Sequence, residues 1–121
     1  MVVEYLRRPT VAGYFYPRDP EELRHHLQHF TSTDAVRMPA RGVIVPHGPY
    51  RHSGRIVGAT FSQVSIPAHC IILSPNHLGG VPWSVMSAGA YQTPLGEVPI
   101  DEPLAHALLA RVAESAAHPL P

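Results

Sequence analysis

Two short apolar runs are the clearest feature of the chain. Gly42-Val43-Ile44-Val45-Pro46-His47 and His69-Cys70-Ile71-Ile72-Leu73-Ser74 are rich in branched residues and lack polar alternation. Such runs predict strands buried on both faces, as in a parallel sheet. Between them, apolar positions at Val57, Phe61 and Val64 recur at helical spacing. Ser53 reads there as an N-cap, which predicts a helix over 53–64. Gly54 and Gly58 are poor helix formers and predict a close approach of that helix to the sheet. Strand, helix and strand with short connections make a βαβ unit, for which parallel pairing is the default.

The flanks carry further elements. Asp19-Pro20-Glu21-Glu22 predicts a helix start, with Asp19 as N-cap and Pro20 in the first turn. Leu23, Leu27 and Phe30 then form one apolar stripe, and the helix is expected to fade over 31–34. Residues 9–17 form an aromatic loop bounded by prolines. Residues 83–88, from Trp83 to Ala88, are expected to add a third strand, and 91–97 is turn-rich. Asp101 is predicted to cap a last helix with Leu104, Leu108, Leu109 and Val112 on its buried side. The fold class is therefore α/β, three-layered, with a mainly parallel sheet built from βαβ units, in a single domain over 1–121. Two-sided parallel sheets of so few strands are unusual alone, so the sheet is expected to be incomplete and covered by an oligomer contact or a partner chain.

Composition narrows the function classes. The chain has 121 residues, no net formal charge and no lysine, which argues against general nucleic-acid binding. One cysteine excludes an internal disulfide framework. The first residues lack a signal-peptide core, and no apolar run approaches a membrane span. A cytoplasmic location without membrane association is the expectation. Histidine is abundant, at nine residues.

His47 and His77 are the candidates for chemistry. Each follows the last apolar residue of a predicted strand, and they lie thirty residues apart, about one βαβ repeat. That spacing returns the chain to the carboxyl edge of the sheet, where open α/β folds bind ligands. Neighbouring strands lie about 4.8 Å apart, so two imidazoles there could reach one metal ion. The helix beginning near Ser53 would add a positive dipole end suited to an anion or carboxylate, and Asn76 could orient a ligand. A histidine ending a strand is also commonly just a loop residue bonded to backbone. His25 and His29 stand at i, i+4, opposite the apolar stripe of their helix; solvated surface is the simpler reading. Tyr14, Phe15, Tyr16 and Tyr50 could line a pocket or simply pack. Cys70 is expected in the core, and Arg51 near the helix start could bind a carboxylate or phosphate.

Four segments in order carry a family resemblance. Val45-Pro46-His47-Gly48-Pro49-Tyr50-Arg51-His52-Ser53-Gly54 resembles the Memo family's buried strand followed by Pro-His-Ala-Gly-Tyr and Ser-Gly. Leu73-Ser74-Pro75-Asn76-His77 is similar to its second pattern. Ala12 to Pro17 and Thr93 to Asp101 are similar to two further family segments. The resemblance runs over about 8–112. It implies a fold like that of class III extradiol dioxygenases, which use non-haem Fe(II), and it implies that His47 and His77 are metal-site residues with Phe15 nearby. The prokaryotic branch is named for an association with radical-SAM and AMMECR-type proteins, as AmmeMemoRadiSam system protein B; a eukaryotic relative is linked to cell motility, phosphopeptide binding and copper-dependent redox chemistry.

The implied site has His47 and His77 as metal and catalytic residues and Phe15, Tyr50, Ser53 and Asn76 as substrate-binding residues. The metal would be Fe, Cu or Zn, and the chemistry, if any, redox or dioxygenase-like. The alternative is a non-catalytic module that holds an anionic peptide or small acid, or a fragment needing a partner. Two departures from the family stand out. Pro49 replaces a glycine, removing a backbone donor and fixing φ. The chain is well under half the family's length and lacks its downstream segments, so a facial triad of two His and a carboxylate has no third ligand here.

Overall fold

The structure is a computed structural model that describes residues 5–80 and 84–111. It is a mixed α/β arrangement of three helices and short strands, and it divides into two units.

The first unit is Thr10–Ile72. It contains α1 (Pro20–Phe30), β2 (Met38–Pro39), α2 (Tyr50–Ser62) and β3 (Val64–Ser65). Helix α1 starts as the sequence predicts. The Asp19 carboxylate accepts from the Glu21 and Glu22 amides at 3.0 and 2.9 Å, satisfying two donors that the first turn leaves unpaired. Pro20 needs no partner in that turn. Leu23 is buried, and Leu27 and Phe30 are half-buried on the same stripe. At the far end both the Thr31 amide and its hydroxyl donate to the Leu27 carbonyl. Arg24 pairs with Glu21 one turn back on the exposed face.

Helix α2 crosses between β2 and β3, which pair in parallel, Met38 with Val64 and Pro39 with Ser65. This is a parallel βαβ connection through a two-residue ladder, formed outside the two apolar runs expected to supply its strands. The helix begins three residues earlier than the sequence predicts, and Ser53 is not its N-cap. Pro49 holds that position with φ −62° and ψ 146°. Its carbonyl accepts from the His52 and Ser53 amides at 2.9 and 3.0 Å, and Pro49 has no side chain that could cap. Ser53 lies inside the first turns, buried, with its hydroxyl donating to the Gly48 and Pro49 carbonyls at 3.0 and 3.1 Å.

The glycines of α2 face another helix rather than a sheet. A Cβ on Gly54 would sit 2.5 Å from the Phe30 ring, and one on Gly58 would overlap the Phe30 carbonyl. Their missing side chains let α1 and α2 pack at close range. Ser62 locks the end of the contact. Its buried hydroxyl donates to the Gly58 carbonyl at 2.7 Å and accepts from the Ser32 amide at 2.8 Å.

The second unit is Met1–Pro9 with Leu73–Pro121. It holds β1 (Leu6–Arg7), β4 (Ala90–Thr93), β5 (Gly96–Pro99) and α3 (Glu102–Arg111). Strand β4 is central, parallel to β1 and antiparallel to β5. The turn-rich stretch is thus a tight hairpin around Pro94-Leu95, in which the Thr93 hydroxyl donates to the Gly96 carbonyl and accepts from the Leu95 amide. Arg7 reaches across the β1–β4 pair to the Tyr91 hydroxyl and lies over its ring at 5.3 Å. Asp101 caps α3 by accepting from the Leu104 amide at 3.1 Å. Ala105 is buried, and Leu104, Leu108 and Leu109 are half-buried. Trp83 and Val112 lie outside the described residues; 85–88 form no strand, and the next strand in the chain, β4, starts at Ala90.

The two apolar runs depart from expectation. Neither 42–47 nor 69–74 joins a ladder, and both are largely exposed. Ile44 is 100% exposed, Ile72 88% and Leu73 77%. A doubly buried strand needs ladder partners and an apolar layer on each face. Among the described residues neither is supplied to these runs. Cys70, expected in the core, is exposed for the same reason, with its thiol near the Pro67 carbonyl at 3.5 Å.

Candidate functional site

The best-formed concavity lies in the Thr10–Ile72 unit, where the aromatic loop meets the start of α2. The loop is wound tightly. The Gly13 amide donates to the Tyr16 carbonyl at 2.7 Å, and the Val11 carbonyl accepts from the Tyr14 and Phe15 amides. Gly13 takes φ +88°, a conformation side chains disfavour, and this closes the turn. Arg18 reinforces it by donating to the Ala12 carbonyl at 3.2 Å. The loop then joins α2 through one long-range bond, from the Tyr50 amide to the Phe15 carbonyl at 2.8 Å. That donor belongs to the first helical residue, so it has no partner within the helix.

This join creates an open cavity of about 750 Å³. Tyr14, Phe15, Tyr16 and Tyr50 line it, as the sequence allowed, and Arg18, His26 and Arg51 add polar groups. Tyr16 and Tyr50 stack at a tilt, 5.7 Å between centroids, and Phe30 meets Tyr50 edge-on at 6.3 Å. Such ring pairs hold one another at about 4.5–7 Å. Tyr14 and Phe15 remain exposed at the rim, where a ligand could stack on them.

The surroundings of Tyr50 also alter how it titrates. Burial of its phenol, with Tyr16 beside it as the lesser cause, raises its pKa above the usual tyrosine value. The neutral phenol is therefore favoured in the folded state. The associated stability is fully present below the unfolded value of about 10 and is lost as pH rises through the higher folded value. In urea unfolding followed from pH 9 upward, Tyr50→Phe should flatten the alkaline fall in stability. An unchanged slope would show that Tyr50 does not set it.

The predicted site residues divide between the units. Phe15, His47, Tyr50 and Ser53 belong to Thr10–Ile72, and Asn76 and His77 to the other unit. Phe15 and Tyr50 come together at the cavity. Ser53 lies one turn along α2, its hydroxyl engaged with the backbone. His47 is exposed on the segment leading into α2. His77 is exposed in a loop shaped by Asn76, whose side chain accepts from the Leu78 amide at 3.1 Å and donates to the Gly79 carbonyl at 3.0 Å. Asn76 thus brackets His77 through local backbone bonds. Among the described residues, no three His, Cys, Asp or Glu side chains gather closely enough to hold a metal ion. They do not by themselves fit a two-His, one-carboxylate centre. Among the described residues no helix is long and apolar enough to cross a membrane.

Arg18 and His26 had no sequence signal to assign them to the cavity, whereas Arg51 was marked by its place near the helix start. His26 reaches it because it follows Glu22 by one helical turn on α1.

A family model described as Memo-like protein matches residues 7–118. A MEMO1 family protein of Pyrobaculum arsenaticum is 38% identical over 117 residues, covering 86% of this chain and 42% of the relative. Another from Methanothermobacter thermautotrophicus gives the same three figures, 38%, 86% and 42%. One from Aquifex aeolicus is 37% identical over 106 residues, covering 86% of this chain and 40% of its own length. The chain therefore spans about two fifths of the length of the curated relatives it matches.

Proposed function

The chain belongs to the Memo-like protein family, and from that premise we propose that it contributes an aromatic pocket and two imidazoles to a Memo-type metal site. The pocket is the cavity around Phe15 and Tyr50, and the imidazoles are His47 and His77, assigned on the motifs that contain them. The observation that carries the reading is the Tyr50–Phe15 backbone bond, which joins two of those motif segments at one cavity. Imidazole nitrogen suits Fe, Cu or Zn, and two such donors leave positions open for further ligands and substrate. Among the described residues no third donor gathers with them, so no reaction step is assigned. Redox or dioxygenase-like chemistry is the activity class in view.

The test is metal content. The native chain is expected to take up one more equivalent of Fe, Cu or Zn than a folded His47→Ala/His77→Ala variant. Equal loading of the two, with matching circular dichroism, would remove both histidines from the metal site. A second reading has its own support. Arg18 and Arg51 line the same cavity and could hold an acidic peptide or small acid without any metal, against the opposing charge of Asp19 and Glu22 in the same lining. Metal-independent binding of such an acid, weakened by Arg51→Ala, would favour that reading.

A further inference from the structure

The three histidines of α1 take no part in the assignment to His47 and His77. On this helix Leu23, Leu27 and Phe30 mark the face turned toward the rest of the unit. Successive residues turn by about 100°, which places His25 and His29 together on the opposite face. Both are exposed. At i, i+4 their Cβ atoms stand about 5–6 Å apart, the spacing at which two imidazoles on one helix face grip one cation. Among the described residues neither imidazole enters a hydrogen bond or an ion pair. His29 is steadied by an edge contact with the Phe30 ring, 5.4 Å between centroids.

The helix beneath them is held before any metal arrives. Asp19 caps its start, Thr31 closes its end, and Gly54 and Gly58 of α2 admit Phe30 at close range. A donor pair on such a support loses little freedom on binding. Glu21 lies one turn before His25 and pairs with Arg24, while Arg55 lines the shallow depression next to His29 and places positive charge there.

We propose that His25 and His29 form a two-imidazole clip for a borderline divalent cation, Cu²⁺, Zn²⁺ or Ni²⁺, with water in the remaining positions. His26 is no part of it. Its ring turns edge-on to Phe30 at 6.0 Å and it lines the aromatic cavity instead. The clip lies wholly within Thr10–Ile72 and does not depend on the Memo-type assignment.

Cu²⁺ alone is the probe, titrated into the whole chain. Affinity is read by calorimetry and the stiffening of α1 by amide hydrogen exchange. His25→Ala and His29→Ala should each weaken binding by about tenfold or more, since one imidazole cannot chelate. Each should also abolish the Cu²⁺-dependent protection over 20–30. His26→Ala and the His47→Ala/His77→Ala variant should keep both. Undiminished binding in either single variant would overturn the clip, as would loss of α1 protection in the His47/His77 variant or absence of Cu²⁺ binding by the native chain. Loss of one equivalent in the His47/His77 variant, with α1 protection intact, leaves the clip standing and bears only on the Memo-type site.

Discussion

Gly58→Ala should destabilise the Thr10–Ile72 unit by about 3 kcal/mol or more, well above an ordinary surface substitution. The added methyl group would overlap the Phe30 carbonyl oxygen and lie 2.6 Å from its carbonyl carbon and 2.7 Å from its Cβ. Backbone cannot swing aside as a flexible side chain can. The helices must separate, and three other features depend on their contact. The Ser62 hydroxyl bridges Gly58 to Ser32, Phe30 meets Tyr50, and Tyr50 holds the aromatic loop. Alanine has the higher helix propensity, by about 1 kcal/mol, so an isolated helix would gain from this change. The sign of the effect therefore separates packing from propensity. Thermal unfolding should show a large drop in Tm, with faster exchange in both α1 and α2. Gly48→Ala is the matched control, because a Cβ there meets nothing within 4 Å and φ is not positive. A Gly58→Ala chain as stable as the native would mean the helices do not pack as described.

The same glycine shows what the sequence could and could not convey. The helices α1 and α3 were legible because their starts are local events, a carboxylate accepting amides two or three residues ahead. The start of α2 was misplaced because a non-local event decides it. The Phe15 carbonyl, thirty-five residues upstream, takes the Tyr50 amide, and Pro49 accepts the next ones. Ser53 carried the right chemistry for a cap and was used for back-bonding instead. Gly54 and Gly58 correctly signalled a close approach, but a pattern on one helix does not name its neighbour.

Strands were harder still. The apolar runs at 42–47 and 69–74 have the composition of buried strands, yet composition does not provide partners. The ladder of the βαβ unit forms a few residues upstream instead, between 38–39 and 64–65. The candidate site shows the same division. Phe15 and Tyr50, both singled out from the sequence, line one cavity, and Arg18 and His26 reach it only through packing. Pro49, where the family pattern has glycine, deletes a donor but supplies the carbonyl that starts α2.

Gly89→Ala should be at least as disruptive to the other unit, again costing about 3 kcal/mol or more. Two penalties coincide there. Gly89 has φ +87°, which costs an alanine about 1–2 kcal/mol. A Cβ would also overlap the Tyr5 carbonyl oxygen and stand 2.8 Å from its carbonyl carbon. That carbonyl cannot withdraw without loss, because it accepts the Ala90 amide at 2.9 Å and so begins the pairing of β1 with β4. The Gly89 carbonyl in turn accepts from the Ile100 amide at 2.8 Å, just beyond the end of β5. One added methyl group would thus strain both sides of the three-stranded sheet. Gly96→Ala separates the causes. Its φ of +131° is also positive, but its Cβ would meet open space. If strain alone mattered, the two variants would unfold alike. The packing argument requires Gly89→Ala to fall well below Gly96→Ala in Tm, and to speed amide exchange in β4 while leaving α1 and α2 protected. Equal Tm values would show that Tyr5 does not press on Gly89 as the structure places it.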